Sequence, residues 1–188
     1  MIKFFFSTLV AVVAIIAVTY VYSNLGDKQG KICDQRYALC SAAQCIPDPT
    51  NPNESICFCD VFEGKNYGYS LCDKRLPTTD QEGVQHLIST FSLENLDTRK
   101  SMNCAAGSLW SDCLDQPCVV DPLDPKKAIC MCKVIRTGEF MTYGGDCDTS
   151  TCSTGFWSGA PPDMNAQGVQ LMMQALGMKT SPQKFCPK

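Results

Sequence analysis

The chain has 188 residues, 14 of them cysteine, a formal net charge of −3 and a single histidine. Balanced charge with no like-charge run longer than two excludes the clustered basic surface that phosphate binding needs, so no nucleic acid is expected as a partner, nor is electrostatic docking on anionic lipid. Cysteine at this density belongs to disulfide scaffolds of oxidising compartments.

In chain order, Lys3 precedes an apolar run from Phe4 to Tyr22 interrupted only by Ser7, Thr8 and Thr19. As a helix this run spans roughly 28 Å, close to the bilayer hydrocarbon thickness. That length favours an uncleaved anchor in residues 1–23, touching membrane through residues 4–22. Val21 and Ser23 also suit cleavage after Ser23, which would make the segment a signal peptide. Either way residues 24–188 are expected to be extracytoplasmic, in a periplasm or outside a cell, anchored or secreted. A lipid attachment site is not expected, because Lys31 stands two residues before Cys33.

After a linker at 24–32, the sequence carries one pattern twice. Residues 40–61 lie over residues 113–134 without a gap, at a constant offset of 73, with Cys40/Cys113, Cys45/Cys118, Asp48/Asp121, Pro49/Pro122, Pro52/Pro125, Ile56/Ile129, Cys57/Cys130, Cys59/Cys132 and Val61/Val134 identical. Such matching points to internal repetition. Cys33 and Cys104 open the copies, and Cys72 and Cys147 close them. Two units follow: a first module at 33–92, a linker at 93–103, and a second module at 104–188.

Within each module, Asp-Pro-rich turns separate short extended runs that end in Ile-Cys-Phe-Cys and Ile-Cys-Met-Cys. These read as β-hairpins whose second strand carries Cys-x-Cys on one face, since side chains two apart point the same way. Val84, Leu87, Ile88 and Phe91 follow helical spacing, with Thr79 and Glu82 as a capping box; Val169, Met172, Met173 and Leu176 repeat that spacing after a shared Gly-Val-Gln, with Asp163 at the start and Gly177 at the end. The expected fold is therefore small, disulfide-rich α+β: two tandem cysteine-stapled β-hairpin modules, each followed by a short amphipathic helix, after an N-terminal hydrophobic helix.

All fourteen cysteines are expected in disulfides: Cys33, Cys40, Cys45, Cys57, Cys59 and Cys72 in the first module, Cys104, Cys113, Cys118, Cys130, Cys132 and Cys147 in the second, with Cys152 and Cys186 left to pair with each other and clip the tail over the second helix. Each set of six allows fifteen pairings, and spacing alone does not choose among them. No metal and no cofactor are expected, because zinc favours Cys-x2-Cys or Cys/His sets and the chain has no Cys-x2-Cys; thioredoxin-type redox chemistry fails on the same ground. The cysteine order, with Tyr67-Gly68 and Tyr143-Gly144 ahead of the last cysteine, resembles the EGF-like module. That resemblance implies bonds Cys33 with Cys45, Cys40 with Cys57 and Cys59 with Cys72.

Other residues carry weaker signals. His86 reads as a solvated helix residue, having no elbow or partner for hydrolase chemistry. Asn53-Glu54-Ser55 is a glycosylation acceptor sequence at a hairpin tip, and Asp48, Asn51, Asn53 and Glu54 suit turns better than calcium. Met164, Met172, Met173 and Met178 read as core filling, whereas Phe156-Trp157 reads either as an exposed contact or as cover for the seam between modules. No spacing makes a catalytic pair of Asp112, Asp115 or Asp146, so no enzyme is expected. The leading expectation is a non-enzymatic protein-interaction or envelope structural module with an unidentified protein partner. The alternative is a double-headed protease inhibitor offering Lys126 or Lys127.

Overall fold

The computed structural model describes residues 29–95, 100–143, 147, 149–152 and 156–186; the apolar segment at 4–22 lies outside them. Among the described residues no helix is long and apolar enough to cross a membrane. In chain order the elements are β1 (Lys31–Leu39), β2 (Gln44–Pro47), β3 (Glu54–Gly68), β4 (Thr78–Thr79), β5 (Gln85–Thr90), β6 (Lys100–Cys104) and β7 (Trp110–Asp112), then β8 (Pro117–Val120), β9 (Lys127–Ile135), β10 (Phe140–Thr142), β11 (Phe156–Gly159), α1 (Pro162–Leu176) and β12 (Lys184–Phe185). The protein is mostly β-sheet and disulfide-rich, which corrects the α+β expectation of a helix after each hairpin.

The helix expected around Val84–Phe91 is strand β5, with Leu87 and Ser89 turned inward. Four apolar positions give barely two turns of periodicity, and the β-branched Ile88 and Thr90 favour extended backbone. The decisive local feature is a turn: Asp80 Oδ1 accepts from the Glu82 and Val84 N–H groups, and Gly83 takes φ +84°. Thr79 therefore pairs with Gln85 across a hairpin instead of capping a helix, and His86 sits on a strand.

Helix α1 forms where the spacing places it. Pro161 is its cap residue and makes no side-chain capping bond, so Asp163 lies in the first turn without capping. Gly177 ends it at φ 65°, where Met178 N–H bonds Met173 O at 2.9 Å. Met172 is fully buried beneath it, with Met173 and Met178 packed alongside. The shared Gly-Val-Gln falls on a strand in one copy and a helix in the other, so it marks no structural equivalence.

Strand β3 pairs with β2 and then β1 along one edge, and with β9 along the other. Two closed circuits result, β1–β3–β9–β8–β5 and β2–β3–β9–β7–β11, sharing β3 and β9. The registers are related by a local two-fold. Cys57 lies opposite Cys130 at its centre, and Cys45↔Cys57 is matched by Cys118↔Cys130. Parallel pairing of Ala38 with Ser89 is matched by Ser111 with Ser158. Ser89 N–H donates to Gln116 O at 2.9 Å, as Ser158 N–H does to Ala43 O at 3.0 Å. Strand β11 thus occupies in one circuit the place that β5 occupies in the other. Phe156 on β11 packs on the central core and Trp157 is half-buried, so this pair is structural cover rather than an exposed contact.

Sulfur fills the centre. The described residues hold seven disulfides and no free cysteine. In the first module the bonds are nested, Cys33–Cys72, Cys40–Cys59 and Cys45–Cys57, unlike the pairing the EGF-like resemblance implies. The reason is register: Cys45 faces Cys57 directly across the hairpin, and Cys59, two residues on, shares its face and meets Cys40. Cys113–Cys132 and Cys118–Cys130 repeat this arrangement. Cys152 does not bond Cys186; it joins Cys104, while Cys186 joins Cys147 and lays β12 beside β6.

Backbone bonds to Asp115 tie the halves beside a buried arginine. Arg75 is fully buried, bonding Lys31 O at 3.0 Å and Asn66 Oδ1 at 3.3 Å, and Asp115 reaches across to accept from Tyr69 and Ser70 N–H. Gly68 lies between them: an added Cβ would stand 2.5 Å from Asp115 Oδ1 and 2.6 Å from Arg75 Nη1. Gly68→Ala is expected to cost about 1–3 kcal/mol by overpacking, read as a lower guanidinium midpoint; an unchanged midpoint would mean the pair is free to part.

Candidate functional site

Strands with cysteine at every second position have another face. On β3 and β9 the cysteines alternate with Ile56 and Phe58, and with Ile129 and Met131; Ile46 on β2 and Val119 on β8 complete the set. Cross-strand register arranges these six side chains in two rows, Ile46–Ile56–Met131 and Phe58–Ile129–Val119. Partners across a ladder point to one side, so all six project away from the sulfur core. Phe58 is 52% exposed, Ile46 47%, Ile129 43% and Val119 42%.

The local two-fold runs through this face. It exchanges Ile46 with Val119, Ile56 with Ile129 and Phe58 with Met131, each pair chemically alike. Charged residues flank the rows, and here the symmetry inverts. Glu54 and Asp60 on β3 stand opposite Lys133 and Lys127 on β9, with Lys127 Nζ to Asp60 Oδ1 at 2.5 Å. The result is an apolar centre with an acidic strand beside a basic one, held from behind by Cys45–Cys57 and Cys118–Cys130.

Period-two spacing puts the cysteines on one strand face, and the residues between them define the other. The signal was present in Ile-Cys-Phe-Cys and Ile-Cys-Met-Cys, where both alternating sets are apolar although an ordinary exposed sheet face would read polar. His86 extends the second row beside Val119, and its Nε2 lies 3.0 Å from Asp80 Oδ2, a bond that holds the Asp80 carboxyl below its usual range.

The sulfur core brings Cys40, Cys113 and Cys132, and two similar trios, within 4.8 Å of one another, a spacing that suits a metal. Every one is disulfide-bonded, and a disulfide offers no thiolate. Beneath α1 a cavity of about 60 Å³ is lined by Phe91, Met141, Met164, Asn165 and Asp112, among others. Burial raises the Asp112 pKa, opposed by the Leu114 N–H it accepts and by nearby Lys133. Asp115 is engaged by backbone, and Asp146 lies outside the described residues.

The hairpin tips are closed upon themselves. Asp121 N–H bonds Lys127 O at 2.9 Å and Val61 N–H bonds Lys126 O at 2.8 Å. A substrate-like inhibitor must present the carbonyl of its specificity residue to a protease oxyanion hole, and both lysine carbonyls are already taken. In the glycosylation triplet Asn53 is exposed, but Ser55 is fully buried and bonds Ser111 Oγ at 2.7 Å. No protein-family model, curated protein sequence or solved structure matches the chain.

Proposed function

We propose that the protein is a non-enzymatic, extracytoplasmic interaction module, built from a duplicated hairpin, whose working surface is the face of Ile46, Ile56, Phe58, Val119, Ile129 and Met131. One observation carries this reading: two central strands are apolar on both sides, and only one side is needed for the core. Exposed apolar side chains gathered on one sheet face mark association surfaces. The disulfides behind them hold the face rigid, so little conformational entropy is lost when a partner docks. Seven disulfides agree with an oxidising compartment, and the apolar segment at 4–22 supplies either a tether or a route out.

The test is a photo-crosslinking amino acid placed at Phe58 and, separately, at Thr137, an exposed residue outside the face. In the native exported protein, position 58 is expected to give a discrete adduct that Ile129→Lys abolishes while the oxidised fold, read by circular dichroism, is kept. Adducts from position 137 alone would refute the assignment of the face.

A further inference from the structure

We infer that the partner on this face is a second copy of the same chain, docked sheet upon sheet in a two-fold dimer. This rests on the face being an association surface and specifies what covers it. The first support is shape: the patch is two-fold symmetric in its apolar residues, so its own duplicate offers matching rows. Phe58 of one copy meets the Ile129 of the other, and Ile56 meets Met131. Sheets pack in this way with strand directions nearly aligned.

The second support is charge, which chooses among the ways of stacking two copies. With the dimer axis parallel to the strands and between β3 and β9, the acidic strand of each copy covers the basic strand of the other. Because Glu54 is level with Lys133, and Asp60 with Lys127, each carboxylate then faces an ammonium at both ends of the patch. With the axis across the strands, Glu54 would face Asp60 and Lys127 would face Lys133. Like charges in juxtaposition disfavour that arrangement, so the charge pattern fixes one geometry. An internal pair such as Asp60–Lys127 is kept and extended into a four-charge cluster.

The patch is four strands wide and seven residues long on its central ladder, which at ordinary sheet spacings is roughly 19 by 23 Å, about 400 Å² per copy. Such an area sits at the low end for specific association and marks a weak, reversible dimer.

The experiment is sedimentation equilibrium on the full oxidised chain in mild detergent. Three proteins are compared: the parent, a face made wholly basic by Glu54→Lys with Asp60→Lys, and a face made wholly acidic by Lys127→Glu with Lys133→Glu. The parent is expected to dimerise, each variant alone to be weakened at least tenfold, and an equimolar mixture of the two variants to recover association. Circular dichroism verifies that the variants fold. A parent that stays monomeric to about 500 µM overturns the inference, as does a dimer that survives both charge variants and Phe58→Glu, since it would be held elsewhere, as through residues 4–22. If the parent is monomeric while position 58 still crosslinks a different protein, the second copy is excluded and the interaction face stands. If position 58 gives no adduct either, both readings fail.

Discussion

Replacing Cys45 and Cys57 together by alanine is expected to remove about 3–5 kcal/mol of stability, a larger loss than replacing Cys147 and Cys186. Loop-closure entropy alone predicts the opposite order. The second bond encloses a sequence separation of 39 against 12, which is worth about 1 kcal/mol more in the unfolded chain. Burial decides the matter. Cys57 is fully buried and Cys45 is 4% exposed, at the centre of a core made mainly of cysteine, while Cys186 is only half-buried. Removing two sulfurs from the centre leaves a void that rigid neighbouring disulfides do not fill by relaxing. Guanidinium unfolding of both double variants measures the order directly. A greater loss for the Cys147/Cys186 variant would show that these bonds act through the unfolded chain and that the sulfur core is not a packing unit. Single substitution at Cys57 is expected to be worse than the double, because a freed Cys45 thiol lies within reach of Cys113 and invites exchange.

Asp115→Ala is expected to cost about 2–3 kcal/mol, chiefly through two partly buried N–H groups that lose their acceptor. Arg75 has no exposure, and its guanidinium stays charged even though burial pulls its pKa down; Asp115 is the group that opposes this pull. Its loss removes that favourable field and leaves the Tyr69 and Ser70 N–H groups without their acceptor, while Arg75 keeps its bonds to Lys31 O and Asn66. Asp115→Asn is the informative companion. Asparagine tolerates the positive φ of 59° and keeps an acceptor oxygen, so it restores the backbone bonds without the charge. An intermediate loss is expected, and its size separates charge from hydrogen bonding. Equal stability of Asp115→Ala and the parent would mean that the two halves are not held together through Asp115.

Legibility in the sequence followed the range over which each feature is decided. The hairpins were readable because Asp48, Asp121 and the adjoining prolines close their turns locally, with Thr50 and Leu123 N–H donating back to the two aspartates. Helix α1 was readable from two prolines, a sustained stripe and Gly177. Strand β5 was not, since its fate depends on β8 and β1, far away in sequence, and its short stripe fits either conformation. Disulfide pairing was hidden for a related reason: which sulfur meets Cys59 is fixed by the fold of the hairpin, and the partners of Cys104 and Cys147 depend on β6 and β12. The apolar face lay in plain alternation between the cysteines, obscured because the cysteines already accounted for the strands.

The pairing of β3 with β9 joins the two hairpins into one sheet and creates the face. Nuclear Overhauser contacts between backbone protons in the oxidised protein test it most directly. A continuous ladder linking Glu54–Asp60 with Lys127–Lys133, centred on Cys57 and Cys130, is the predicted result. Ladders confined to Cys45–Cys57 and Cys118–Cys130, with nothing between the two hairpins, would contradict it and reduce the protein to two separate modules with no common surface.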